Sequence, residues 1–195
     1  MPTTAEQKES GYISVTEVLD MFIPKGLLTW YLKTGAKEAK RLSTVAMKIG
    51  SRVDELIQED INKGSYKLSS KDPIEVKNCM EAWQQFKSDY SPNVTATQKE
   101  VLSEEEKVLG HIDLIIDATV IDVKCAASIK DNYWLQVAKY SDMLPVDVDG
   151  VGILRLDKNL GTYQYVIKRN VRELVEVFNG LLKAYRYYQP KGQEE

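Results

Sequence analysis

The stretch Gly110-His-Ile-Asp-Leu-Ile-Ile-Asp-Ala-Thr-Val-Ile-Asp-Val-Lys124 decides how the rest of the chain is read. Two apolar runs flank Asp117-Ala118, the pattern of a β-hairpin. Alternate strand residues share a face. His111, Asp113 and Ile115 therefore fall on one side, Ile112, Leu114 and Ile116 on the other, and Asp122 is grouped with Lys124. An even-length turn centred on Asp117-Ala118 places Asp113 opposite Asp122 and His111 opposite Lys124. Directly opposed side chains have Cβ atoms about 4.5 to 5.5 Å apart, a destabilising separation for two like charges. A shared proton, a hydrogen bond or a cation has to compensate.

An isolated Asp-x-Lys is usually a solvent-facing strand edge. Here Ile112, Leu114, Ile115, Ile116, Ile121 and Val123 mark strands with little exposed surface, where charged groups need a partner or a purpose. A hard divalent cation suits paired carboxylates: Mg²⁺ prefers oxygen ligands and keeps several waters. Lys124 then stands where it can orient a water, help deprotonate it, or stabilise charge building on a phosphorus.

Working outward, Ala96 to Val101, Lys107 to Ile116, Thr119 to Lys124, Val151 to Leu156 and Thr162 to Ile167 are short β-type runs. Asp131 to Met143 has helical spacing between the third and fourth of them. Asn170 reads as the N-cap of a last helix with Glu173 three residues on, and Leu174, Phe178, Leu181 and Leu182 in its apolar stripe. Upstream, Ser14 to Phe22 predicts a short helix before Pro24. Leu27 to Leu32 is a compact apolar segment ending at Gly35, and Ala36 to about Asn62 reads as one or two helices broken near Gly50. Ile74 to Tyr90 is helical again. The expected fold class is α/β (α+β): a central mixed β-sheet flanked by helices. One domain spans residues 12–188, mainly helical over 12–95 and sheet with flanking helices over 96–188, between flexible ends at 1–11 and 189–195.

At 195 residues with 43% hydrophobic and 28% charged residues, the chain can bury one substantial core. Cys79 and Cys125 belong to no metal-type cysteine pair, which argues against zinc and disulfide frameworks and fits a reducing compartment. No apolar run reaches bilayer length and the first residues lack secretory order, so the expectation is an intracellular, cytoplasmic protein with no membrane partner. The net charge of −3 means any nucleic acid must be held by a local basic surface or through metal ions.

Gly110-His-Ile-Asp113 resembles the Gly-x-x-Asp motif of the RecB-like branch of the PD-(D/E)XK nucleases. Ile121-Asp-Val-Lys124 resembles its Asp/Glu-x-Lys motif, and Gln136-Val-Ala-Lys-Tyr140 its helical Gln-x-x-x-Tyr motif. Ser14-Val-Thr-Glu-Val-Leu, and Leu28-Thr-Trp30 followed by Gly35, resemble the helical start of mitochondrial and phage exonucleases in this branch, which are related to CRISPR-associated nucleases; the likeness covers roughly residues 12 to 145. It implies a restriction-endonuclease-like core and Mg²⁺- or Mn²⁺-dependent cleavage of DNA, often by exonuclease action on single strands or free ends. Asp113, Asp122, Lys124, Gln136 and Tyr140 form the implied catalytic set. Asp54, Asp113 and Asp122 are the implied metal ligands, with Glu55, Glu100 and the Val123 backbone carbonyl as further candidates.

One departure stands out. Where the family commonly has Gly-Thr-x-x-His, this chain has Gly50-Ser-Arg-Val-Asp54, so a carboxylate replaces an imidazole. Asp54 can ligate a hard cation, Glu55 or Glu59 could substitute, and its bland alternative is a solvated helix residue. His111 reads first as a packed strand residue and Glu100 equally well as a strand-edge charge. Gln136 and Tyr140, four apart, share a helix face and can serve one phosphate or Lys124. Lys33, Lys37, Lys40, Arg41, Lys48 and Arg52 could meet a nucleic-acid backbone, though such spacing usually marks a solvated face. Trp30, Tyr31, Trp83 and Trp134 could stack on bases but read first as core. The rival function is a nucleic-acid-binding subunit that keeps the fold without turnover.

Overall fold

The computed structural model describes residues 11–189. The flexible ends expected at 1–11 and 189–195 fall, except for Gly11 and Gln189, outside the described residues. Strand β1 (Ile13–Ser14) runs into helix α1 (Val15–Met21), followed by α2 (Lys25–Thr34), α3 (Ala36–Lys63) and α4 (Ile74–Tyr90). Then come β2 (Val94–Ser103), β3 (Val108–Ile116), β4 (Thr119–Lys124), α5 (Asp131–Asp142), β5 (Gly150–Leu156), β6 (Tyr163–Lys168) and α6 (Arg172–Tyr188). No helix among the described residues is long and apolar enough to cross a membrane.

The six strands form one mixed sheet. β2 pairs with β3 antiparallel, β3 with β4 antiparallel, β4 with β5 parallel and β5 with β6 antiparallel. Asp117 and Ala118 both have positive φ, 45° and 59°, the conformation of a two-residue turn whose twist matches its strands. That turn sets the expected register: Leu114 faces Ile121, Ile115 faces Val120 and Ile116 faces Thr119. The ladder stops there, so the expected pairing of Asp113 with Asp122 and of His111 with Lys124 is not made by the backbone.

β1 adds parallel to the start of β3, at Val108 and Leu109. Since β2 occupies one edge of β3 along most of its length, β1 and β4 share the other edge. Between them, Gly110 to Asp113 have no strand on that side among the described residues, and the opening lies where the sheet would otherwise be closed.

Helices cover both faces. One core cluster joins Val18, Ile112, Ile115, Trp134, Tyr140 and Phe178, from α1, α5 and α6 against the sheet. The other joins Val53, Leu56, Met80, Trp83, Phe86, Leu114 and Ile121, from α3 and α4 against the opposite face. Apolar burial of this kind contributes roughly 25 cal/mol per Å² removed from water.

Four local expectations are corrected. Ile112 packs with Ile115 and not with Leu114 and Ile116, because the alternation slips at Asp113, opposite a Gln98 whose φ is 46°. Gly50 does not break α3, which is continuous over 28 residues; one glycine costs about 1 kcal/mol in a helix, less than packing of its second half returns. The last helix is entered from Val171, and no side chain caps it, so Asn170 is not its N-cap. Trp83 and Trp134 are buried, but Trp30 is 36% exposed and α2 has no buried residue.

Candidate functional site

Asp113 and Asp122 reach the opening from neighbouring strands by different means. Beyond the last ladder pair the Asp113 carboxylate replaces a backbone acceptor: its Oδ2 takes the Val123 N–H at 2.8 Å. Asp122 is 2% exposed. Its Oδ1 lies 2.9 Å from the Lys124 ammonium, while its Oδ2 is buried with no hydrogen-bond partner among the described residues. A buried oxygen left in that state costs free energy unless something else satisfies it.

From Lys124 the contacts continue onto α5. Lys124 Nζ donates to Gln136 Oε1 at 3.2 Å, and Gln136 Nε2 donates to the Tyr140 hydroxyl at 2.9 Å. The ammonium also stands 5.1 Å from the centre of the Tyr133 ring, a cation–π distance. Gly110 is required by Tyr140: a Cβ at position 110 would fall on the edge of that ring. Gly110 and Tyr140 thus share one packing cause, a phenol laid across a strand that must be bare where they cross.

Asp54 comes from α3 on the far side of the opening. Gln98 Nε2 donates to its Oδ1 at 2.9 Å. Asp54, Asp113, Val123, Lys124 and Cys125 line a cleft of about 510 Å³ with Met47 and Tyr133 at its wall. A second cleft of about 360 Å³ lies beyond Asp113 and Lys124, bounded by Asp122, His111, Gln136, Tyr140 and the hydroxyl residues Ser14 and Thr16. Asp54, Asp113 and Lys124 thus meet in the first cleft, Asp113, Asp122, Lys124, Gln136 and Tyr140 in the second, and Asp113 and Lys124 belong to both.

The other candidates make contacts of their own. Glu55 is exposed and bonds Arg52 at 3.1 Å; Glu59 bonds Lys63 at 3.1 Å. Glu100 faces His111 across the β2–β3 ladder, with 3.5 Å between Oε2 and Nε2. Ser14, Thr16, Gln98 and Tyr133 are not among the site residues expected from sequence, although Ser14 and Thr16 belong to the stretch that resembles the exonucleases. Ser14 and Thr16 carry a signal as the capping start of a helix, whereas a glutamine inside a strand carries none.

The acids sit under electrostatic stress. Burial first, then the Asp113 charge, pushes Asp122 up to about 7 against the pull of Lys124. Burial, Asp113 and Glu55 push Asp54 up to about 6. Asp113 is likewise raised by burial, against Lys124, the Val123 N–H and His111. Burial alone would lower Lys124, but Asp122 and Asp113 outweigh it and hold its ammonium. Burial raises Tyr140 to about 12.

Among the described residues, no three His, Cys, Asp or Glu groups stand close enough to form a ready-made metal cage. The donor chemistry still fits a hard cation. Asp54 and Asp122 each feel the charge of Asp113, the carboxylate donors are all oxygens, and Oδ2 of Asp122 has no partner among the described residues.

No protein-family profile and no curated protein matches this sequence. Solved structures do. LHK-Exo in complex with dAMP matches with a TM-score of 0.51 at 12% identity, over 93% of this chain and 89% of that one. The alkaline exonuclease LHK-Exo from Laribacter hongkongensis gives a TM-score of 0.45 at 13% identity, over 95% of both chains. A phage-related exonuclease from Haemophilus somnus 129PT gives 0.41 at 14% identity, over 70% of this chain and 79% of that one. The first of these likenesses shows a shared fold.

Proposed function

We propose that this chain is a metal-dependent deoxyribonuclease of the RecB-like branch of the PD-(D/E)XK nucleases, acting on DNA that is single-stranded or has free ends, inside a cell. The observation that carries the reading is Asp122, a buried carboxylate with one oxygen on Lys124 and the other without a partner. A fold shared with LHK-Exo, itself seen with dAMP, supports it.

Asp113 and Asp122 would hold Mg²⁺ or Mn²⁺, with Asp54 across the cleft and the Val123 carbonyl beside them. Such an ion, when bound, offsets negative charge gathering on the phosphodiester oxygens. The chain's own residues do the rest. Lys124, kept as an ammonium by the two carboxylates, is a donor to a phosphate oxygen or to the attacking water. Gln136 holds Lys124 in place. Because the Tyr140 oxygen accepts from Gln136, its own hydrogen can be donated to a phosphate in the second cleft.

The test is cleavage of end-labelled single-stranded and duplex DNA with Mg²⁺ or Mn²⁺. Asp122→Asn and Lys124→Ala should each lose about a hundredfold or more, as removal of one preorganised group from a charged transition state does. Parental rates in both variants would sink the proposal. The second reading, a binding subunit without turnover, is favoured by Asp54 standing in place of the family's histidine. It predicts oligonucleotide binding with no cleavage in either metal.

A further inference from the structure

Residues 25–48 carry six basic side chains, Lys25, Lys33, Lys37, Lys40, Arg41 and Lys48, and one acid, Glu38. Their net charge is +5 in a chain whose total is −3, so the remainder carries −8. This segment is α2 and the first half of α3, and it projects: α2 buries nothing, and before Ile49 only Ala39 of α3 is buried. Among the described residues, Arg41 alone of the six has a carboxylate partner, Glu38 at 2.7 Å.

The same arm is apolar where it should be solvated. Leu28 is 48% exposed, Trp30 36%, Leu32 77% and Met47 70%, and Trp30 meets Tyr31 edge-on with 5.1 Å between ring centres. Lys37, Lys40 and Lys48 repeat at helical spacing and form a stripe along α3, which at about 1.5 Å per residue is roughly 16 Å long. At its lower end, Met47, Gly50 and Asp54 line the cleft that holds Asp113 and Lys124.

We infer that this arm is a binding track for unpaired nucleic acid, leading a strand into the cleft. Cations spaced along a helix neutralise successive phosphates, and exposed aromatic and apolar side chains accept bases that are not already stacked in a duplex. Charge complementarity favours this occupant, because a nucleic-acid strand is a polyanion with a charge at every residue; a second copy would be repelled arm to arm, +5 against +5, and one docked through its −8 body would show as self-association in the test below. The choice of substrate at the cleft rests on the nuclease reading above; the binding itself does not.

The experiment is fluorescence anisotropy with labelled oligo-dT of about 20 nucleotides in chelator, across a salt series, on the full chain. Each phosphate contact contributes about 0.7 to the slope of log affinity against log salt for a single strand. Lys37→Gln, Lys40→Gln and Lys48→Gln together should lower that slope by about 2 and weaken binding about tenfold or more. Trp30→Ala should weaken binding about fivefold or more with the slope unchanged, since stacking is not ionic. Circular dichroism and melting of these surface variants should match the parent.

Both sets should still hydrolyse a small activated thymidine phosphodiester in Mn²⁺ at the parental rate, whereas Asp122→Asn should lose about a hundredfold or more of that rate. Binding without any hydrolysis by the parent would remove the nuclease reading and leave the track standing. An unchanged slope in the triple variant, equal affinity for a blunt duplex, or arm variants that alter only self-association would each overturn the track.

Discussion

Gly110 is dictated by a side chain on another element. The Tyr140 ring lies where its Cβ would be, and both belong to a packed interior. Gly110→Ala should force the ring aside, costing about 1 to 3 kcal/mol by overpacking and breaking the chain from Tyr140 through Gln136 to Lys124. The measurements are thermal melting and cleavage rate, and a variant that melts and cleaves like the parent would refute the packing argument. Asp54 makes the opposite case, a residue kept despite its cost. Its acid is raised to about 6 by burial and by Asp113 and Glu55. A group bound more tightly to its proton in the folded state stabilises below its unfolded value, near 3.8, and loses that contribution as pH rises through about 6. Asp54→Asn keeps an acceptor for Gln98, so in chelator at about pH 8 it should be more stable by on the order of 1 kcal/mol, discounted for partial exposure. The gain should shrink towards about pH 4. The letters Gly110, Asp113 and Asp54 were readable as a pattern, but the ring that demands the glycine and the Gln98 that holds Asp54 come from distant segments, and no local spacing reveals them.

Elements were legible where local rules set them. The Asp117-Ala118 turn fixes the hairpin register with two positive φ values, and α4 runs from Ile74 to Tyr90 because a loop and Ser91-Pro92 bracket its apolar stripe. β1 was not legible, since two residues have no period and it exists only by pairing with β3. α3 was misread at Gly50, where a Cβ would meet nothing within 4 Å. Gly50→Ala should therefore raise stability, by up to about 1 kcal/mol, through helix propensity alone; a lower melting temperature would show that the helix needs flexibility there. Lys139 ties elements together, fully buried on α5 with Glu106 at 2.5 Å, Asp142 at 2.8 Å and Asn179 at 3.1 Å. Lys139→Ala should destabilise by roughly 3 kcal/mol, while Lys139→Met, which keeps the stem and leaves two part-exposed acids to water, should recover most of it in denaturant melts.

At the scale of the whole molecule, charge is sorted into two poles: an arm of +5 and a remainder of −8. A total of −3 concealed both, and only the fold shows that the cations project together while Asp54 and Asp113 line the cleft at the arm's base. Without a cation, Asp54 and Asp122, raised to about 6 and about 7, hold protons that they shed as pH climbs. Stability in chelator should therefore fall between about pH 4 and 7 and level off above it. A divalent ion that binds the folded state alone stabilises it by about 2.7 kcal/mol at a hundred times its Kd. For a chain of this size that is a rise of about 5 to 10 °C in Tm. Mg²⁺ or Mn²⁺ should produce this rise at about pH 8, produce much less at about pH 5 where protons compete for the same oxygens, and produce almost none in Asp122→Asn. Differential scanning fluorimetry with chelator, Mg²⁺ and Mn²⁺ at both pH values reads all three arms. A rise that persists in Asp122→Asn would place the ion elsewhere, and no rise in the parent with either metal would remove the ion from the site altogether.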